Sequence, residues 1–225
     1  MRPIQPRMLA CAAMLALLIA SPAAALTKEL GPIAGFSYSN LNISGQSGLN
    51  GRASVALGAA LDLGFNEHFG LRIDPMFVSK GAEATHRNAY WGTMDGAKFN
   101  LNYIDVPVLA RYDLPAKSEA HGYLLGGVGV SFATKREVDL TQGNEHETVD
   151  FKDVLSSTDV SVDLGIGFSL PQGPNRWAID ARAAFGVTNI NSGGTVTFNG
   201  GPLVVPATST HTIGFRTLVS YLFKL

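Results

Sequence analysis

The stretch TDVSVDLGIGFSLPQG, residues 158–173, alternates without a break. Val160, Val162, Leu164, Ile166, Phe168 and Leu170 fall on one side, and Asp159, Ser161, Asp163, Gly165, Gly167 and Ser169 on the other. Successive side chains of a strand point to opposite faces, so this is one strand with an apolar face and a face of glycine, serine and acid. What each face meets decides the class of fold.

The same period-2 rule recurs along the chain. Val55, Leu57, Leu61, Leu63 and Phe65 oppose Ser54, Gly58, Asp62 and Gly64. Trp177, Ile179, Ala181, Ala183, Phe185 and Val187 oppose Arg176, Asp180, Arg182 and Thr188. Ile213, Phe215, Val219, Tyr221 and Phe223 oppose Gly214, Arg216 and Ser220. Helical i, i+3, i+4 stripes are absent after the first 25 residues. The pattern predicts eight strands at about 30–38, 52–65, 69–80, 98–113, 122–135, 158–170, 176–188 and 210–223. Short connections (66–68, 114–121, 171–175) alternate with long ones (39–51, 81–97, 136–157, 189–209). That is the plan of an antiparallel outer-membrane barrel with short periplasmic turns and long extracellular loops. Within 98–113 the apolar parity changes, from Phe99, Leu101 and Tyr103 to Ile104, Val106, Val108, Ala110 and Tyr112. A β-bulge in this strand is the expected cause.

Alternation alone does not separate a membrane barrel from a soluble barrel with a greasy inside. The polar face does: it carries Gly, Ser, Asp and Arg but almost no Lys or Glu, unlike a water-facing surface. The strand lysines Lys80, Lys98 and Lys135 fall at long-loop ends. Small residues such as Gly58, Gly64, Gly127, Gly129, Gly165 and Gly167 suit the narrow interior of eight strands. The aromatic residues form two belts. Phe65, Phe69, Tyr112, Phe168, Trp177 and Phe223 mark the short-turn end, and Tyr38, Phe77, Phe99, Phe132 and Phe185 the long-loop end. Trp177 and Phe185 stand roughly 27 Å apart along their strand, which after tilt approaches an apolar band about 25 Å tall. The greasy faces therefore look at lipid, and the charges look inward.

Inward charges need partners. Asp62, Arg72, Asp74, Asp105, Arg111, Asp163, Asp180, Arg182 and Arg216 are expected to form carboxylate–guanidinium pairs that fill the lumen. A tight turn at 66–68 sets Phe65 against Phe69 and Asp62 against Arg72. A turn over 170–175 sets Asp163 against Arg182 and Gly165 against Asp180.

The first 25 residues carry Arg2 and Arg7, an apolar run from Met8 to Ala20, and small residues at Ala23–Ala25. This is the pattern of a cleaved export signal, leaving 26–225 as one domain. Cleavage removes Cys11, the single cysteine, so thiol chemistry is not expected in the mature chain. Loss of the two arginines takes the formal charge from −1 to −3, which does not suit nucleic acid.

In YIDVPVLARY (103–112), YLLGGVGVSF (123–132), DVSVDLGIGF (159–168) and FRTLVSYLF (215–223), the chain resembles the eight-stranded outer-membrane β-barrel domain family. That family includes PorT-like proteins and, more distantly, OmpX-type barrels. The resemblance covers essentially all of the mature chain. It implies a bacterial outer-membrane location, contact with lipid and lipopolysaccharide, and insertion by the barrel-assembly machinery. That machinery reads a terminal aromatic residue, here Phe223, displaced by Lys224 and Leu225.

No CxxC, HExxH, phosphate-binding loop or EF-hand pattern occurs, so no cofactor, metal or catalytic group is expected. His68 and His121 fall on periplasmic turns, His86 and His146 in loops, and His211 at the start of the last strand. No compact Ser–His–acid motif marks an enzyme. Specificity is left to the loops. Residues 81–97 hold His86, Arg87, Tyr90 and Trp91, a composition suited to partner contact, and 136–157 form a second candidate surface. Glu137, Asp139, Glu145, Glu147, Asp150 and Asp153 lack a recognised cation-loop spacing, so a solvated acidic loop is the simpler reading. Residues 190–208, rich in Gly, Thr, Asn and Pro, have the composition of a mobile loop. The expected role is a barrel with a largely plugged lumen that displays surface loops. A narrow channel, a lipid A-modifying enzyme and a soluble lipocalin-like barrel are the competing classes.

Overall fold

The computed structural model describes residues 27–45, 49–84 and 95–225. The proposed signal, Cys11 and the aromatic–basic loop residues His86, Arg87, Tyr90 and Trp91 lie outside the described residues. The strands are β1 (Thr27–Ile43), β2 (Leu49–Gly64), β3 (Phe69–Ile73), β4 (Met76–Lys80), β5 (Ala82–Ala84), β6 (Gly96–Asp113), β7 (His121–Gln142), β8 (Glu145–Asp150), β9 (Thr158–Gln172), β10 (Asn175–Gly186), β11 (Gly194–Phe198), β12 (Gly201–Val205) and β13 (Thr210–Lys224). All pairings are antiparallel, and they close into a ring: β1 pairs with β2, then β3 to β5 serve as one stave, followed by β6, β7, β9, β10 and β13, which returns to β1. Closure removes every edge in the ring, which is what a sheet in hydrocarbon requires.

The third stave is interrupted where the chain cannot donate. Pro75 has no N–H, and the ladder breaks between β3 and β4 while the Pro75 carbonyl still accepts from Ala59 N at 3.0 Å. At Gly81 the Ser39 hydroxyl substitutes for a strand partner, 3.0 Å from Gly81 N. The β2–β3 turn has the expected register, with Asp62 opposite Arg72 and Phe65 N bonded to Phe69 O. The β9–β10 register differs from expectation by two residues. The turn is the pair Gly173–Pro174, with Gly173 at φ 61°, so Gln172 faces Asn175 and Asp163 faces Ala184. The expected Asp163–Arg182 and Gly165–Asp180 pairs are therefore corrected; Gly165 faces Arg182 and Gly167 faces Asp180.

The bulge also lies elsewhere. β6 keeps one parity throughout, with Phe99, Leu101, Tyr103, Asp105, Leu109 and Arg111 all buried. The extra residue is Thr134 of β7, because Asn102 pairs with Lys135 and Tyr103 with Ala133. The parity change read from the sequence of β6 records a change of surroundings. In the membrane-spanning part the outer wall is apolar (Phe36, Leu57, Ile104, Ile166 and Ile179 are exposed) and the inner wall carries the charges. Toward the long-loop end the wall inverts. Leu41, Ile43, Phe99, Leu101, Val138 and Leu140 turn inward and are buried, while Asn40, Asn42, Lys98, Asn100 and Asp139 take the outer face. Above the lipid the outside meets water, and the inside becomes an ordinary apolar core. Phe99, placed in the outer aromatic belt from sequence, belongs to that core at 3% exposure. Of the other belt residues, Tyr38, Phe65, Phe69, Phe77, Phe168, Trp177, Phe185 and Phe223 are exposed, and Tyr112 and Phe132 are half-buried.

Two loops are more ordered than their composition suggests. Residues 136–150 extend β7 and return as β8. Residues 194–205 form the β11–β12 hairpin, a sheet of its own, turning at Asn199 (φ 49°) and Gly200 (φ 72°).

Candidate functional site: a lumen closed by ion pairs

All nine charged residues assigned to the lumen from sequence are buried there, none more than 7% exposed. They form three tiers. At the short-turn end Asp62 receives Arg111 and Arg176, each at 2.7 Å. Arg111 also holds Asp113 at 2.6 Å, and Arg176 holds Glu29 at 2.6 Å. In the middle tier two arginines and two aspartates alternate. Arg72 contacts Asp74 at 3.0 Å and Asp180 at 3.4 Å, and Arg182 contacts Asp74 at 2.6 Å and Asp180 at 2.5 Å. The Tyr123 hydroxyl donates to Asp180 at 3.1 Å, and Arg72 donates to Ser220 at 2.8 Å. The upper tier joins Arg216 to Asp105 and Lys80 to Asp159 at 2.9 Å. Ser131 bridges these pairs, donating to Asp105 and accepting from Lys80. Thr212 and Thr188 donate to Asp159.

Arg182 and Arg216 are direct cross-strand neighbours, ordinarily a repulsive arrangement. It is tolerated because each reaches a different carboxylate across the bore. Asp163 accepts from Ser161 at 2.6 Å and reaches no arginine among the described salt bridges. Five members were not named in the network from sequence, Glu29, Lys80, Asp113, Asp159 and Arg176, although Asp159 was already placed on an inward face. Asp159 and Arg176 share the polar parity of their strands, a signal that was available. Lys80 sits at a strand end, where a lysine ordinarily reaches water; here it is 5% exposed because the barrel wall continues above it.

Tyr123 is seated by a glycine. A Cβ on Gly167 would lie 2.2 Å from the Tyr123 ring. Gly167→Ala is therefore expected to push the ring off the middle tier and destabilise the barrel by about 1–3 kcal/mol, as overpacking does. Urea unfolding in detergent, followed by tryptophan fluorescence, measures this.

The arrangement leaves little bore. Two cavities adjoin the lumen, one beside Lys80 and Arg216 and one among Leu41, Phe99, Phe151 and Val205, each about 10 Å³, room for a single water at most. Among the described residues, His121 and His211 are not set for nucleophilic catalysis. His121 has both ring nitrogens on oxygen acceptors, Asp113 at 3.0 Å and the Glu119 carbonyl at 2.7 Å. His211 meets Ser209 Oγ at 3.0 Å, but its Nδ1 has no hydrogen-bond partner, so no third group orients the ring. Among the described residues no three His, Cys, Asp or Glu side chains are grouped to hold a metal. The acidic hairpin is largely self-satisfied: Glu137 meets Lys135, Asp139 meets Asn100 and Thr148, and Glu147 accepts from Asn199 N. Asp150 is hydrogen-bonded by Lys152, which holds its carboxyl below the usual range.

A closed ring of antiparallel strands, greasy outside and charged inside, defines a transmembrane β-barrel. The chain belongs to the outer membrane protein beta-barrel domain family, whose model matches residues 22–192. Among solved structures it is similar to the outer membrane protein OprG of Pseudomonas aeruginosa, at 12% identity over 91% of this chain and 98% of that one, with a TM-score of 0.50. It is also similar to Ail, the attachment invasion locus protein of Yersinia pestis, at 13% identity over 88% and 100%, with a TM-score of 0.45. At such identity the OprG likeness speaks for the fold alone. No curated protein matches the chain.

Proposed function

We propose that this protein is an outer-membrane barrel with a sealed lumen, acting through the surface that its long loops present. The observation that carries the reading is the stack of three ion-pair tiers, in which the carboxylates and cations of opposite walls meet across the bore. An ion crossing it would have to break buried pairs whose members would then stand unpaired in a low-dielectric interior. Reconstituted protein in a planar bilayer is expected to give little or no current; a stable, large single-channel conductance would overturn the sealed lumen and favour a pore. Residues 1–25 are read as the export signal, and Phe223 as the terminal aromatic recognised during insertion. The interaction surface is assigned to 81–97 and to the β7–β8 hairpin, which stands clear of the membrane. Fractionation of expressed protein should find it with the outer membrane, starting at residue 26, with heat-modifiable mobility in detergent. Recovery from the aqueous periplasmic extract would end this reading.

A further inference from the structure

The inverted upper part of the barrel has an uneven rim. β7 continues from Ala133 to Gln142 beyond its last pairing with β9 at Phe132–Thr158, and β6 and β8 rise beside it. On the opposite side β10 ends at Gly186, and β13 begins at Thr210. The low side is filled by residues 151–157 and by the β11–β12 hairpin, which packs Val196, Phe198 and Val205 onto the apolar core. That hairpin forms its own two-stranded sheet instead of joining the barrel ladder. It leaves the wall at Gly193, whose φ of 70° disfavours any side chain, and returns through Pro206. Besides the burial of these three side chains, Asn199 N donates to Glu147 of β8 at 2.6 Å, and without a ladder to the barrel the hairpin can open as a unit without breaking the sheet.

The hairpin's side chains fill the space among Leu41, Phe99, Leu101, Val138 and Leu140, above the upper ion-pair tier, and that space becomes a chamber only when the hairpin lifts. The chamber is blind, because the tiers below are closed. Tyr103 belongs to the same cluster at 0% exposure, yet its hydroxyl has no hydrogen-bond partner. Of the buried side-chain atoms without a partner among the described residues, the Tyr103 hydroxyl is the one in this apolar cluster, and a buried donor left unmatched calls for an acceptor. Lys80 lies 4.9 Å from the Tyr103 ring centroid and is already neutralised by Asp159. A ligand carboxylate would therefore bring an unmatched charge, whereas a neutral oxygen would not.

We propose that the β11–β12 hairpin is a lid over a binding chamber for a single-chain hydrocarbon bearing a neutral oxygen, such as a medium-chain alcohol. The chain would replace the side chains of Val196, Phe198 and Val205, and its oxygen would accept from Tyr103. The ligand enters from the loop side and stops above the ion pairs. This goes beyond the sealed-lumen reading, and conductance does not test it.

The test is photolabelling of the full protein in lipid nanodiscs with decan-1-ol carrying a terminal diazirine, with attachment sites read by tandem mass spectrometry. Lipid-facing residues such as Phe36 and Ile166 must label in every case and report that the barrel is inserted. The expected result is additional labelling at Phe99, Leu140 and Val205. Labels confined to the lipid-facing residues would overturn the chamber. Tyr103→Phe should cut the chamber labelling by the alcohol several-fold and leave labelling by the matching diazirine alkane unchanged; equal labelling would overturn the assigned hydrogen bond. Replacing residues 195–204 with two glycines should raise chamber labelling several-fold over the lipid-facing control, and no rise would overturn the lid.

Discussion

Replacing Arg72 with methionine should destabilise the folded barrel by about 3–5 kcal/mol, because it leaves two buried carboxylates, Asp74 and Asp180, sharing the single cation of Arg182. Arg72 is fully buried and serves Asp74, Asp180, Tyr123 and Ser220 at once. The cost is one of imbalance more than of lost attraction. A double replacement, Arg72→Met with Asp180→Leu, should therefore recover a large part of it, since the Arg182–Asp74 pair at 2.6 Å survives intact. Urea titration of refolded protein in detergent, scored by the compact and heat-denatured gel bands, gives both values. The exposed pair Lys152–Asp150 supplies the contrast, and Lys152→Ala should leave the midpoint where it was. Equal effects of Arg72→Met and Lys152→Ala would show that the tiers contribute nothing to stability.

The second large effect is expected on the outer wall. Ile179 is 42% exposed on β10 and faces Phe168 and Val219 on its neighbours, two residues inside Trp177 of the short-turn belt and six from Phe185 of the other. Ile179→Arg should cost about 2 kcal/mol in a bilayer, between the larger cost of a guanidinium at the midplane and the small one at the interface. The same substitution at Glu145, at the tip of the β7–β8 hairpin, should change little. A soluble barrel would reverse the order of interest, since a surface arginine is harmless in water. Liposome refolding followed by guanidinium titration distinguishes the two, and tolerance of Ile179→Arg would remove the case for lipid at this wall.

The alternation in 158–173 made the barrel legible because it depends only on neighbours along one strand. The side chain after next lies on the same face, so composition along a strand reports what that face meets. The same local logic found the Phe65–Phe69 turn and placed nine charges indoors. It failed at the next step of range. Which charge meets which depends on residues more than a hundred positions apart, such as Arg182 with Asp74 or Arg176 with Glu29. The two-residue error at Asp163 came from one turn, since Gly173–Pro174 is tighter than the loop assumed.

Strand number, closure-compatible alternation and the inward placement of charge could be read locally, because each follows from the two-residue period of an extended chain. The pairing across the bore and the inversion of the wall above the lipid depend on contacts between distant strands. Phe99 and Asp105 share the inner face of β6, yet one joins an apolar core and the other an ion pair. The difference lies in their height relative to the membrane, a coordinate that local periodicity does not contain.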